Sequence, residues 1–157
     1  MRTMFDHLAR RYDRLNTVLS AGVDRLWRRT AVDALDLTPG SCLLDVAAGT
    51  ADILIEWLRR DDRNRGIGVD LSRGMLGVGA AKLNRAGLAA RGRLLAGDAT
   101  ALPLVEACAD GMTIAFGLRN VAARTHALRE FLRALRPGAP LAVLEFSWPR
   151  GVLGRAY

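Results

Sequence analysis

Leu43-Leu44-Asp45-Val46-Ala47-Ala48-Gly49-Thr50-Ala51-Asp52 is the stretch that decides the fold. Ser41 to Val46 is a short apolar run, as expected of a strand buried on both faces of a parallel sheet. It stops at a cluster of small residues, Ala47 to Thr50, and Asp52 to Arg60 then takes up helical spacing. Small residues let the backbone approach a ligand closely, and a helix start offers unpaired N–H donors. Phosphate-cradling turns of this kind carry three glycines, whereas here only Gly49 is glycine. Taken alone, the turn reads as well as a compact strand-to-helix connection as it does as a bed for a ligand without phosphates.

Downstream the same alternation repeats. Gly66 to Val69 reads as a second strand ended by Asp70, and Ser72 to Asn84 as a helix with Ser72 as its N-cap. Arg93 to Ala96, followed by Gly97-Asp98, is a third strand, and Gly111 to Phe116 a fourth. Arg124 to Leu135 reads as a helix with Thr125 as N-cap and Pro137-Gly138 as its stop signal, before a fifth strand from Leu141 to Phe146. Strands alternating with helices predict an α/β fold, a parallel sheet with helices on both faces. Upstream, Phe5, Leu8, Tyr12, Leu15, Val18 and Leu19 recur at three- and four-residue spacing. Ala21-Gly22 breaks the run, and Val23, Leu26, Trp27, Ala31 and Leu35 resume it, so residues 4 to 35 read as two or three helical stretches. Thr38-Pro39-Gly40 is the turn into the sheet.

The strand ends carry the chemistry. Asp70 lies twenty-one residues after Gly49 at the end of the second strand. Nucleotide-binding α/β folds place an acid there to accept from ribose hydroxyls; the competing reading is an aspartate capping the next helix. Asp98 ends the third strand and could accept from an exocyclic amine such as that of adenine, although Gly-Asp is also a common turn. With Asp45 these make three acids on the edge where open α/β sheets bind ligands. The fourth strand leads into Phe116-Gly117-Leu118-Arg119-Asn120. Arg119 there either stabilises negative charge developing on a substrate or is a solvent-facing loop cation. Glu145 either lines the pocket or pairs with an arginine. His7 and His126 fall on helices, and no Ser/His/Asp triad can be assembled.

A chain of 157 residues with half its residues hydrophobic and a quarter charged suits one globular domain. No apolar run is long enough to cross a bilayer. The N-terminus lacks the apolar core of a secretory signal, and Asp6, Asp13 and Asp24 argue against a transit peptide. Cys42 and Cys108 have no metal-type spacing and read as reduced thiols of a cytoplasmic protein. The net charge is +7 with Lys82 as the only lysine. Together with the many alanines, that bias suits a GC-rich genome. The early cluster Arg2, Arg10, Arg11, Arg14, Arg25, Arg28 and Arg29 keeps peripheral contact with the inner face of a membrane as a second expectation. Basic residues interleaved with stacking aromatics are absent, so no nucleic-acid partner is expected.

Three stretches together resemble the ubiquinone/menaquinone biosynthesis C-methyltransferase family, the group that contains the demethylmenaquinone methyltransferases. The first is Met4-Phe5-Asp6 with Tyr12-Asp13-Arg14-Leu15-Asn16, Leu19-Ser20 and Trp27-Arg28. The second is the glycine turn with Asp70-Leu71-Ser72-Arg73-Gly74-Met75-Leu76 and Gly97-Asp98-Ala99. The third is Ile114-Ala115-Phe116-Gly117-Leu118-Arg119-Asn120-Val121 with Arg133-Ala134-Leu135-Arg136-Pro137-Gly138 and Leu144-Glu145-Phe146-Ser147.

The resemblance implies a class I S-adenosylmethionine-dependent methyltransferase, Rossmann-like in fold, acting on ring carbon of a prenylated quinone precursor. It implies a single domain, with residues 1–36 a helical cap on the substrate side and residues 37–157 the cofactor-binding core. Asp45 would be among the cofactor-binding residues, with Gly49 and Thr50 holding the methionine part of S-adenosylmethionine, Asp70 the ribose, and Asp98 with Ala99 the adenine. Tyr12, Asn16 and Trp27 would contact the substrate, and Arg119 with Asn120 would stabilise its oxyanion. No metal is implied. Two departures stand out. Family members usually have glycine where this chain has Ala51, whose Cβ is expected to crowd the cofactor. The family also continues well beyond Tyr157, into the last two strands of a seven-stranded sheet, so a sheet of five is expected, with its edge open or covered by a second copy. The alternatives are a non-catalytic cofactor-binding or partner protein and a methyltransferase for another small aromatic.

Overall fold

The structure, a computed structural model, describes residues 23–145. Helix α1 (Val23–Asp33) continues the apolar spacing read at the N-terminal side. Its inward positions Ala31 and Val32 are buried together with Leu35 just beyond its end, while Leu26 is exposed. Strand β1 (Cys42–Val46), helix α2 (Asp52–Leu58), strand β2 (Arg65–Asp70), helix α3 (Arg73–Arg85) and strand β3 (Gly92–Ala96) follow. Next come strand β4 (Gly111–Ala115), a 3-10 turn (Leu118–Asn120), helix α4 (Arg124–Ala134) and strand β5 (Leu141–Leu144).

The strands form one sheet in the order β3-β2-β1-β4-β5, every neighbouring pair parallel. Strand order reverses between β1 and β4, the switch point beside which open α/β sheets leave a crevice at the carboxyl ends of their strands. Side chains of β1 alternate as a pleated strand requires. Leu43 points into a core shared with α1, α2 and Leu83 of α3, while Leu44 and Val46 point into a second core with Ala127, Phe131 and Ala134 of α4. The expected α/β sheet with helices on both faces is what forms. Burial of both faces supplies the main stabilisation. Exposed ion pairs such as Arg60–Asp33 (2.7 Å) add little each.

Several element ends differ from the sequence reading. Helix α2 stops at Leu58, two residues short of Arg60. Strand β4 stops at Ala115 because Phe116 turns into a left-handed backbone, φ +54°. Thr125 is not the N-cap of α4: the chain is already helical at Arg124, and the carbonyl of Ala123 takes the first helical bonds from His126 and Ala127 at 3.0 and 3.1 Å. Ser72 does cap α3, its hydroxyl accepting from the Met75 N–H at 3.2 Å. The thiols of Cys42 and Cys108 are free and half-buried. Strand β5 ends at Leu144, and Val143 on this edge strand is 47% exposed. Among the described residues no helix is long and apolar enough to cross a membrane.

Strand β2 is bare where α2 crosses it. A Cβ at Gly66 would stand 2.3 Å from Leu54 Cδ1 and 3.3 Å from the Leu43 carbonyl oxygen. Leu54 is fully buried and has nowhere to retreat. Gly66→Ala is therefore expected to lower stability by about 1–3 kcal/mol, read as a lower midpoint with unchanged slope in urea unfolding; an unchanged midpoint would show that α2 can ride up at no cost.

Candidate active site

The loops that follow β1, β2 and β3 are tied to one another in series. Ala48 N–H donates to the Val69 carbonyl at 3.1 Å, and Gly97 N–H to the Asp70 carbonyl at 3.0 Å. The Asp70 side chain completes the lacing. Its Oδ2 accepts from Gly49 N–H and its Oδ1 from Ser72 N–H, both at 2.8 Å. The capping reading of Asp70 is met by its bond to Ser72 at the start of α3, and the same side chain sits against the glycine turn, half-buried at the rim.

Gly49 has φ +53°, and nothing lies within 4 Å of where its Cβ would stand. The backbone here favours glycine, and the space beside it is open enough to admit a ligand atom. Thr50 is buried, its hydroxyl accepting from Lys82 Nζ at 3.1 Å, so its side chain is turned under α3. Lys82 also pairs with Asp52, which Arg28 of α1 reaches at 3.0 Å. Ala51 is fully buried in the core and left-handed, φ +65°. A Cβ at Gly79 of α3 would come to 3.1 Å of the Ala51 methyl, which places that methyl in the α2–α3 packing. Asp98 is exposed, its Oδ1 accepting from both the N–H and the hydroxyl of Thr100 at 2.8 Å, and Ala99 beside it is half-buried.

Asp45 is placed differently from the other two acids. It lies inside the sheet, paired with Gly68 and Thr113, and is 2% exposed. Thr113 Oγ1 donates to its Oδ1 at 2.8 Å. Burial pushes its carboxyl up to about 7; the Thr113 bond opposes the rise, and the charges of Asp70 and Asp52 add to it. Asp98, by contrast, is held below the usual carboxylate range by its bonds from Thr100. Asp70 and Gly49 touch, Asp98 sits one residue beyond a shared backbone bond, and Asp45 lies beneath them.

Across the switch point the loops after β4 and β5 make the other wall. Phe116 N–H donates to the Leu144 carbonyl at 2.8 Å. Gly117 packs so closely on the β1 turn that a Cβ there would be 2.5 Å from the Ala47 Cβ. Arg119, 47% exposed at its side chain, pairs with Glu145 at 2.6 Å, and the same carboxylate accepts the Arg119 backbone N–H at 3.1 Å. Of the two readings of Glu145, pairing with an arginine is the one found. Asn120 donates to the Phe116 carbonyl at 3.3 Å. The Phe116 ring meets Trp27 of α1 edge-on, centroids 6.0 Å apart, and the Arg119 guanidinium carbon lies 5.7 Å from its centroid. The sequence reading passed over Phe116 as a site residue; its only signal was its place at the mouth of the Gly-Leu-Arg-Asn loop. Tyr12 and Asn16 lie outside the described residues.

Strain gathers at this rim. Among the described residues five non-glycines have left-handed backbone, and three of them, Ala47, Ala51 and Phe116, border the two walls. Such strain persists where surrounding structure over-determines it, as it commonly does at functional sites.

A match to the family model described as the ubiE/COQ5 methyltransferase family covers residues 1–157. The ubiquinone/menaquinone biosynthesis C-methyltransferase of Geobacter sulfurreducens is 44% identical over 154 residues, which are 98% of this chain and 60% of that protein. The demethylmenaquinone methyltransferase of Beutenbergia cavernae is 48% identical over 146 residues, 93% of this chain and 58% of its own length. The chain thus spans about 60% of the length of these relatives. Among solved structures, the [4+2]-cyclase SpnF superposes with TM-score 0.73 at 28% identity, covering 78% of this chain and 44% of the cyclase. A SAM-dependent methyltransferase from Aquifex aeolicus superposes with TM-score 0.70 at 21% identity, covering 80% of this chain and 66% of its own, and shares the fold.

The buried acid has a pH signature. A carboxyl whose folded value of about 7 exceeds its ordinary value of 3.8 binds its proton more tightly in the folded state. Its contribution to stability is complete below about 4 and is lost as pH rises through about 7. Asp45→Asn, which keeps an acceptor for Thr113 and cannot ionise, is expected to melt several degrees above the unaltered chain at pH 8, and level with it at pH 4. Equal melting differences at both pH values would show that Asp45 does not titrate in this window.

Proposed function

The chain belongs to the ubiE/COQ5 methyltransferase family, and we propose that it transfers the methyl group of S-adenosylmethionine to a ring carbon of a prenylated quinone precursor; its relatives are named as a C-methyltransferase of ubiquinone/menaquinone biosynthesis and a demethylmenaquinone methyltransferase. The observation that carries this reading is the pairing, on one sheet edge, of an acid-rimmed glycine turn with an aromatic and arginine wall across the switch point. The first suits an adenosyl group and the second a hydroxylated ring.

The residues present fit the cofactor. Gly49 leaves open space beside its backbone. Asp70 and Asp98 are carboxylates at the ends of adjacent strands, the acceptors that ribose hydroxyls and an adenine amine call for. S-adenosylmethionine, when bound, supplies a sulfonium methyl that is already a strong electrophile. The protein's own part is then alignment and exclusion of water. Gly49 and Thr50 would seat the methionine end, with Asp45 beneath among the cofactor-binding residues, Asp70 the ribose, and Asp98 with Ala99 the adenine.

The ring carbon becomes nucleophilic as its neighbouring hydroxyl becomes phenolate-like. Arg119 stabilises that oxygen through its guanidinium, and Asn120 adds a donor beside it. Glu145 holds the guanidinium in place through one terminal nitrogen of a side chain that presents five N–H donors. Trp27 of α1 would contact the substrate, as would Tyr12 and Asn16, which lie outside the described residues, with residues 1–36 serving as a cap on the core of residues 37–157. Contact of the basic N-terminal segment with an anionic membrane surface would bring this cap to a substrate dissolved in lipid.

The test is methyl transfer from S-adenosylmethionine to demethylmenaquinol, with product identified as C-methylated. Arg119→Ala is expected to lower kcat about 10²-fold with unchanged cofactor affinity by calorimetry, and Asp70→Ala to lose cofactor binding. Wild-type turnover in Arg119→Ala at saturating acceptor would remove Arg119 from the mechanism; absence of any ring methylation by the unaltered chain would remove the reading itself.

A further inference from the structure

Phe116 is held where a bulky residue rarely goes. Its left-handed backbone, φ +54°, is forced from two sides, by its N–H bond to Leu144 and by the packing of Gly117 on Ala47. Glycine would meet that backbone demand without strain, so the turn by itself does not explain a benzyl side chain. The turn swings the ring out of the alternation of β4 and sets it, half-buried, between Trp27 at 6.0 Å and the Arg119 guanidinium at 5.7 Å. Arg119 is fixed in turn by Glu145 at 2.6 Å. The result is an aromatic corner with a cation at its margin, at the carboxyl edge of the sheet and across from Gly49. A planar ring packs well against an aromatic pair, edge-on or offset, and a ring oxygen in that position lies toward the cation.

We propose that Phe116 binds the ring of the methyl acceptor: a hydroxylated aromatic packs against Phe116 and Trp27 with its oxygen toward Arg119. This rests on the methyl-transfer reading for the identity of the ligand and adds the residue that selects for a flat ring.

The experiment compares the unaltered chain with Phe116→Leu and Phe116→Tyr. Each is titrated by calorimetry with 2-naphthol and separately with S-adenosylmethionine, melted, and assayed for turnover. Phe116→Leu is expected to weaken naphthol binding and raise the acceptor KM about tenfold, with kcat, cofactor affinity and Tm near the unaltered values. Phe116→Tyr is expected to restore both. The proposal is overturned if naphthol does not bind the unaltered chain, if Phe116→Leu binds it as well as the unaltered chain does, or if Phe116→Leu loses cofactor affinity and Tm together, which would make the ring a packing element. Phe116-dependent naphthol binding without methyl transfer to any ring would sink the methyltransferase reading and leave this ring site standing.

Discussion

One carboxylate joins the parts of the rim. Through its two side-chain oxygens and its backbone carbonyl, Asp70 holds Gly49, Ser72 and Gly97, which belong to the loops after three adjacent strands. Bonds from backbone N–H groups to an ionised acceptor are among the stronger hydrogen bonds in proteins. The parallel register of β1 with β2, Val46 opposite Val69, brings those loops within reach; the aspartate then keeps them there. Without it the glycine turn would lose its side-chain tie to β2 and keep the Ala48 backbone bond to Val69.

The other wall is built on different physics. Beyond β4 and β5 the contacts are aromatic and cationic: Trp27 against Phe116, Arg119 beside Phe116, Glu145 behind Arg119. The two walls touch where Gly117 meets Ala47, both at tight turns. A displacement of either turn would be felt by the other, so the distance between the two walls is set by a contact with no slack. Transfer between two bound partners depends on such a fixed separation.

The layout of strands and helices could be read from the sequence because the apolar period changes at each boundary. The polar rim could be read because acids recur where strands stop. What escaped was set by long-range contact or by backbone angle. Asp45 looks like one more strand-end acid until Thr113, 68 residues away, is seen to close over it. Glu145 could be read either way because its partner is 26 residues distant. Phe116 continues an apolar run, and nothing in hydrophobicity announces a left-handed turn. Thr125 is a good capping residue placed two positions too late, since the helix had already begun. Ala51 reads as a threat to the ligand from its position in the motif, yet its methyl belongs to the core.

Lys82 gives the chain an unusual chemical handle. It is the only side-chain primary amine in 157 residues, and it spans from α3 to Asp52 and Thr50 at the start of α2. Amine-directed reagents, whether acylating dyes, biotin esters or resin linkers, have one internal point of attachment. Acylation there abolishes the charge that faces Asp52 and leaves Arg28 as its cationic neighbour. A tag placed by that route would sit against the helix behind the glycine turn, whereas one placed on a thiol would sit at Cys42, where β1 begins, or at Cys108.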